Sequence, residues 1–168
     1  MPVDRDAAGV DLNLAARSGD IDVVRSLLRR PGTDLEARDI LGDTGLLKAS
    51  RYGHVEVVKE LLVAGADINA QDGNGWSCLH ISIANNRESV FFALLSGTHG
   101  WAPINIEAVT CSGDTCLHTA AFHGREWAID TLLRLGWRLC LITIGQEGQL
   151  GETAGMVTIQ SARRLKTR

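Results

Sequence analysis

The 168-residue sequence has few prolines, cysteines and aromatic residues, and it lacks a long apolar run. Its best apolar run, residues 139–144, is far shorter than the roughly 20 residues that cross a membrane. The first residues have no apolar core of a signal peptide. Four cysteines are too few for a disulfide scaffold, which favours a reducing compartment. We therefore expect a cytoplasmic protein, with the nucleus as a further location, and no membrane partner.

The sequence also lacks an excess of one charge and any catalytic motif. A net charge of −3 and a pI of about 5.9 argue against a uniformly basic nucleic-acid binder. No Gly-x-Ser-x-Gly, phosphate-binding loop or His-Glu-x-x-His occurs. We expect no enzyme activity, no cofactor and no small-molecule substrate. One alternative is a transcription- or chromatin-associated regulator that uses the basic residues 163–168, although these cations also suit a helix C-terminus. The other alternative is a metal-dependent or catalytic protein.

The 18 glycines, in contrast, are numerous and recur at regular positions. Gly-x-Thr or Gly-x-Ser begins at Gly42, Gly75 and Gly113, and a degenerate version begins at Gly151, with spacings of 33, 38 and 38 residues. A small or apolar segment, a turn and a second apolar segment follow each of the first three starts. An earlier copy, over residues 12–28, lacks the start. A period of this length predicts stacked helix–turn–helix units.

Residues at the predicted helix ends agree with this interpretation. The hydroxyl residues at the starts suit helix N-caps, where they accept from free backbone N–H groups. Those residues are Thr44, Ser77 and Thr115. The first helices should end in the left-handed conformation, at glycine in three copies and at Asn86 in the third copy. The glycines are Gly19, Gly53 and Gly124.

The repeats resemble those of ankyrin-repeat proteins. The best copy, residues 42–72, begins Gly-Asp-Thr-Gly-Leu-Leu and ends Gly-Ala-Asp-Ile-Asn-Ala-Gln-Asp. The likeness covers residues 10–137, with a weaker continuation to 164. The family's Thr-Pro-Leu-His is altered in every copy, and its proline is always replaced. The resemblance implies an all-α solenoid of stacked helix–turn–helix units joined by β-hairpin-like fingers.

The chain is expected to be one ankyrin-repeat domain over residues 1–168. The expected repeats cover about 10–41, 42–74, 75–112 and 113–150. A terminal capping helix is expected at about 153–165, because the last repeat needs a polar outer face. The two 38-residue spacings predict that the first of the longer connections, around residues 98–105, forms a longer or bulged finger.

The resemblance further implies that the chain binds another protein through a concave groove made by the finger tips and the first helices, and is a monomer by itself. We expect anchors at Arg51, Tyr52, Trp76 and Phe122, because these residue types dominate binding energetics. The polar rim is expected at Asp43, Asn74 and Asp114. The remaining predicted groove residues are Arg38, Ile40, Leu41, Asn85 and His123. Alternatively, Trp76 folds over its own hairpin and Phe122 packs between helices.

The sequence also contains candidate residues for zinc binding and for asparagine hydroxylation. Cysteines and histidines at 78, 80, 111, 116, 118, 123 and 140 could be read as zinc ligands, but several are simply periodic and no Cys-x-x-Cys occurs. We therefore expect no metal site. The resemblance implies that His80 and His118 bond to neighbouring backbone. It also implies that Asn69 is a candidate for hydroxylation by asparaginyl hydroxylases; the alternative is that Asn69 only hydrogen-bonds within its turn.

Overall fold

The computed structural model of the chain describes residues 5–96 and 103–135, with side chains from Leu12 onward. The predicted capping helix at 153–165 and the predicted end of the fourth repeat lie outside these residues. So do the central part of the longer connection and Cys140. The described residues form eight helices and no sheet. The helices are α1 (Arg5–Ser18), α2 (Ile21–Leu28), α3 (Gly45–Tyr52), α4 (Val55–Val63), α5 (Cys78–Ala84), α6 (Glu88–Leu95), α7 (Cys116–Phe122) and α8 (Glu126–Arg134).

The helices pair along the chain and stack in two layers. The first helices α1, α3, α5 and α7 contact one another in sequence, and the second helices α2, α4 and α6 do the same. Buried side chains from Leu12 to Leu132 form one cluster that runs through all the pairs. The core is therefore divided among interfaces between neighbours, as expected for a solenoid, and the predicted all-α fold class is confirmed.

Helix ends follow the predicted chemistry with one exception. Thr44 and Thr115 accept hydrogen bonds from the backbone N–H groups of Leu47 and His118, each at 3.4 Å. Ser77 also precedes its helix, but its hydroxyl lies 2.8 Å from Nδ1 of His80 and caps no backbone N–H. The hydroxyl therefore fixes the histidine ring instead of the helix start.

The turns within helix pairs need the left-handed region, as predicted. Gly53 has φ 87° and Asn86 has φ 56°, a conformation that asparagine tolerates better than other residues with a Cβ. A Cβ at Gly53 would lie 2.9 Å from Cδ of Arg87. Glycine is therefore favoured there by its φ angle, and a side chain at this position would also displace that of Arg87.

A bridge between repeats recurs at the starts of α4, α6 and α8. Nε2 of His54 lies 3.0 Å from the carbonyl oxygen of Arg17. Nε of Arg87 donates to the carbonyl of Arg51 at 3.0 Å. Arg125 extends the series to the end of α5. Each side chain thus reaches the C-terminal end of the first helix in the preceding repeat, where carbonyl groups have no partner within the helix. The sequence could have indicated this bridge, because His54, Arg87 and Arg125 share one repeat position.

The fingers between helix pairs are hairpin-like, as predicted. Oδ1 of Asp72 accepts from the backbone N–H groups of Asn74 and Trp76, both at 2.9 Å. Asp39 closes the preceding finger in the same way. Single antiparallel bridges pair Gln71 with Ser77, and residue 109 with residue 115. The fingers therefore project as short, internally bonded turns.

Candidate functional site

Side chains of one repeat position connect neighbouring fingers. Arg38 donates through Nη1 to the carbonyl oxygens of Gly42, at 2.8 Å, and Gln71. Gln71 in turn donates through Nε2 to the carbonyls of Gly75, at 2.6 Å, and Val109, at 3.0 Å. Arg38 was predicted as a groove residue, and its exposed side chain is already engaged in holding two fingers together.

The fingers and the first helices enclose a cleft of about 530 Å³. It brings together six of the predicted groove residues, which are Leu41, Asp43, Arg51, Tyr52, Asn74 and Trp76. Sequence reasoning missed three others that line it, namely Arg17, Lys48 and Asp72. Arg17 could have been found, because it occupies in the first copy the repeat position that Arg51 occupies in the second. The cleft therefore joins residues of the first three repeats.

An ion-pair network forms the floor of the cleft. Nζ of Lys48 lies 2.6 Å from Asp39 and 2.9 Å from Asp43. Nη2 of Arg51 lies 2.9 Å from Asp43 and 3.5 Å from Asp72. The side chain of Asp43 has 0% exposure, so its predicted place at an exposed rim is wrong. A carboxylate is tolerated at such depth only when cations and hydrogen bonds compensate for the lost water.

The pKa values of Lys48 and Asp39 are shifted toward the charged forms. Burial opposes the charge on Lys48, but hydrogen bonds to Asp39 and Asp43 outweigh it and raise the pKa of the lysine. Burial likewise opposes ionisation of Asp39, yet bonds from Lys48 and from backbone N–H groups lower the pKa of that carboxyl. Lys48 and Asp39 therefore stay ionised around neutral pH.

Aromatic side chains form the walls. Tyr52 is 38% exposed, and the guanidinium carbon of Arg17 lies 5.5 Å from its ring centroid, within the range of a cation–π contact. Trp76 lines the cleft while resting against the hydrophobic core, with its ring 6.2 Å from that of His80. Trp76 is therefore partly buried against the core and partly open to the cleft.

The other predicted groove residues do not line this cleft. Ile40 is fully exposed at a finger tip. The Asn85 amide donates to the carbonyl of Ile81 at 2.8 Å, and Asp114 accepts from Ser112 at 2.7 Å. Phe122 is 59% exposed, which contradicts the alternative that it packs between helices. Its ring meets that of its neighbour His123 edge-on at 5.1 Å.

Three of the candidate zinc ligands, Cys78, Cys116 and His80, are buried. Cys78 and Cys116 are fully buried, and burial raises the pKa of each thiol to about 12, which makes them poor nucleophiles. Nε2 of His80 lies 3.1 Å from the carbonyl oxygen of Asp114 in the next finger, so its predicted link between repeats is confirmed.

In residues 12–96 and 103–135, no group of three His, Cys, Asp or Glu residues is arranged to hold a metal ion. No helix in the described residues has the length and apolar character of a membrane span.

A family model described as ankyrin repeats (3 copies) matches residues 12–101 and 46–141. The chain is 32% identical over 124 residues to palmitoyltransferase AKR1 of Lachancea kluyveri, covering 73% of this chain and 17% of that protein. It is 35% identical over 112 residues to the neurogenic locus Notch protein of Drosophila melanogaster, covering 66% of this chain and 4% of that protein. Ankyrin repeat domain-containing protein 29 of Danio rerio is 44% identical over 57 residues, covering 34% of this chain and 19% of that protein.

The chain thus spans less than a fifth of each of these relatives, so the likeness concerns their repeats and not their whole activities. Matches of the family model reach from residue 12 to residue 141. Ankyrin repeats indicate a protein-interaction module and are generally non-catalytic. The family matches and the stacked helix pairs agree, and the chain belongs to the ankyrin-repeat family.

Proposed function

We propose that the chain is a non-catalytic module that binds a segment of another protein in a concave groove formed by its finger tips and first helices. The observation that carries this proposal is the cleft of about 530 Å³, where Leu41, Tyr52 and Trp76 border one space. Tyr52 is exposed and Trp76 is half-buried, and aromatic side chains beside arginine are the residue types that dominate binding energy at interfaces. A partner segment would cover this apolar surface.

The fixed floor of the cleft supports the same proposal. Lys48 and Arg51 are both paired with the buried carboxylate of Asp43. These two side chains beneath the aromatic walls have therefore already lost much of their conformational freedom. A surface prepared in this way loses less entropy when a partner binds. The partner and the cellular compartment remain predictions.

The experiment is capture of partners by the full chain and by a groove variant. Trp76 packs on the core, so Trp76→Ala would also cost stability, and the double variant Tyr52→Ala with Trp76→Ala is the harsher of two. Leu41→Ala with Tyr52→Ala removes side chains that are 64% and 38% exposed and should leave the melting temperature nearly unchanged.

Val63→Ala is the matched control, because Val63 is exposed on α4 and does not line the cleft. Proximity labelling should recover a specific set of proteins with the wild type and the control, and should lose them with Leu41→Ala and Tyr52→Ala. Unchanged recovery with both groove variants would exclude the cleft as the binding surface.

A further inference from the structure

We infer that the cleft accepts an acidic segment of the partner, with a carboxylate at Arg17 and a large apolar side chain against Tyr52 and Trp76. This inference rests on the proposed function and adds the chemistry of the partner. It depends on which charges of the cleft a partner can reach and on the apolar surface beside them.

The carboxylates that line the cleft are out of reach. The side chain of Asp43 has no exposed surface, and that of Asp72 is 8% exposed. Both are paired with Arg51, and Asp43 is also paired with Lys48. Asp39 is 26% exposed, but it does not line the cleft and is paired with Lys48. A basic side chain of a partner would therefore find no unpaired carboxylate at the floor.

Arg17 is the cation that a partner can reach. It is exposed, and it forms no ion pair with any residue in the described segments. Its guanidinium carbon lies over the Tyr52 ring, which leaves the N–H groups of the planar fork able to donate two parallel hydrogen bonds to a carboxylate. Among the residues that line the cleft, Arg17 is therefore the exposed charge without an ion-pair partner in the described segments.

The apolar walls demand a second feature of the ligand. Leu41 is 64% exposed and Tyr52 is partly exposed, and Trp76 borders the same space. A purely charged segment would leave these surfaces wet, whereas a purely apolar segment would leave Arg17 without a partner. Complementarity of both kinds favours a segment that carries acidic and large apolar residues close together.

The positive character is confined to the first two repeats. Ala84 and Phe122 occupy, in the third and fourth copies, the repeat position of Arg17 and Arg51. Phe122 is exposed and Ala84 carries no charge. The requirement for an acidic group is therefore local to the cleft and is not a property of the whole groove.

The test is selection from a random peptide library displayed on phage, with the full chain as bait. Arg17→Gln is selected in parallel, together with Arg29→Gln as the matched control. Arg29 is likewise exposed at the end of a helix, has no ion pair in the described segments, and does not line the cleft. The most enriched peptide is then synthesised. Its affinity for these three proteins and for Leu41→Ala with Tyr52→Ala is measured by fluorescence anisotropy.

We expect wild-type peptides enriched in Asp or Glu near Phe, Trp, Tyr or Leu. Affinity should fall by about tenfold in Arg17→Gln, the loss expected for one charge-assisted pair, and stay unchanged in Arg29→Gln. Peptides without acidic enrichment that still depend on Tyr52 would overturn the inference and leave the proposed function intact. Peptides that bind Leu41→Ala with Tyr52→Ala as well as wild type would overturn both.

Discussion

Lys48 holds its Nζ 2.9 Å from the carboxylate of Asp43, a side chain without exposed surface. Arg51 approaches the other carboxylate oxygen at 2.9 Å. Asp43→Asn keeps the shape but removes the charge that these two cations share. We expect the free energy of unfolding to fall by about 3 kcal/mol, at the low end for a broken buried pair, because Asp39 and Asp72 remain. Urea denaturation measures the change.

Glu56→Gln serves as the control for this loss. Glu56 pairs with Lys59 at 2.9 Å on an exposed surface of α4. Such pairs contribute less than about 1 kcal/mol, so the variant should unfold nearly as the wild type does. Equal losses in Asp43→Asn and Glu56→Gln would show that burial gives the network no special weight.

The ion-pair network is the part of the cleft that could not be predicted from the sequence. The repeat period predicted the helix pairs and the turns, because positive φ at Gly53 and Asn86 leaves few acceptable residues. Asp43 was expected to be exposed because its repeat position lies in the fingers. Its burial depends on Lys48, which stands where other copies have Ile81 or Thr119. Such a departure from the repeat has no period to reveal it, and only distances show which carboxylates it meets.

Arg125 tests whether the bridges between repeats stabilise the stack. Its Nε donates to the carbonyl of Ile83 at 3.2 Å, and its Nη2 donates to that of Ala84 at 3.3 Å. Arg125→Ala should lower the free energy of unfolding by about 1.5 to 3 kcal/mol, as for hydrogen bonds to a charged donor. Amide hydrogen exchange should quicken first at the junction of α5 and α7. Arg134→Ala, which removes a pair within α8, should leave that junction protected.

His80 gives the stack a dependence on acid. Burial lowers the pKa of His80 below its ordinary 6.5, so the unfolded chain takes up the proton at higher pH than the folded chain does. The contribution to stability is therefore complete above pH 6.5 and is lost as pH falls through the folded pKa. Asp39, whose pKa is lowered from 3.8, contributes to acid sensitivity only at still lower pH.

His80→Asn separates this titration from the hydrogen bond. Asn13 holds the same repeat position in the first copy, and its amide lies 3.5 Å from the carbonyl of Asp43, which corresponds to that of Asp114. The variant should keep the link to Asp114. Its stability should fall less than that of the wild type between pH 6.5 and about 5, measured by urea denaturation. Parallel curves for the two proteins would contradict the role of His80.

The three described cysteines should differ sharply in reactivity. Cys111 is exposed in a finger, whereas Cys78 and Cys116 are buried and have raised pKa values. Iodoacetamide at neutral pH should alkylate Cys111 in the native chain and the other two only after unfolding, because the thiolate is the reactive form. Peptide mass spectrometry identifies the labelled residues, and Cys111→Ser is the control. Rapid native labelling of Cys78 would contradict its burial.

Asn69 connects its finger to the next one through both ends of its amide. Its Nδ2 donates to the carbonyl of Pro103 at 3.1 Å, and its Oδ1 accepts from the N–H of Asn105 at 2.6 Å. The amide thus bonds beyond its own turn. We propose that Asn69 is the hydroxylated residue that the family resemblance implies, and that the enzyme acts when this contact opens locally.

Coexpression with an asparaginyl hydroxylase should add one oxygen atom to Asn69, detected by peptide mass spectrometry. Asn74 and Asn105 are the internal controls, because neither occupies that repeat position. If local opening limits the reaction, Asn105→Pro, which removes the N–H bound by Asn69, should raise the modified fraction. An oxygen found on methionine or tryptophan instead would indicate ordinary oxidation, and unmodified Asn69 beside a modified reference repeat would contradict the proposal.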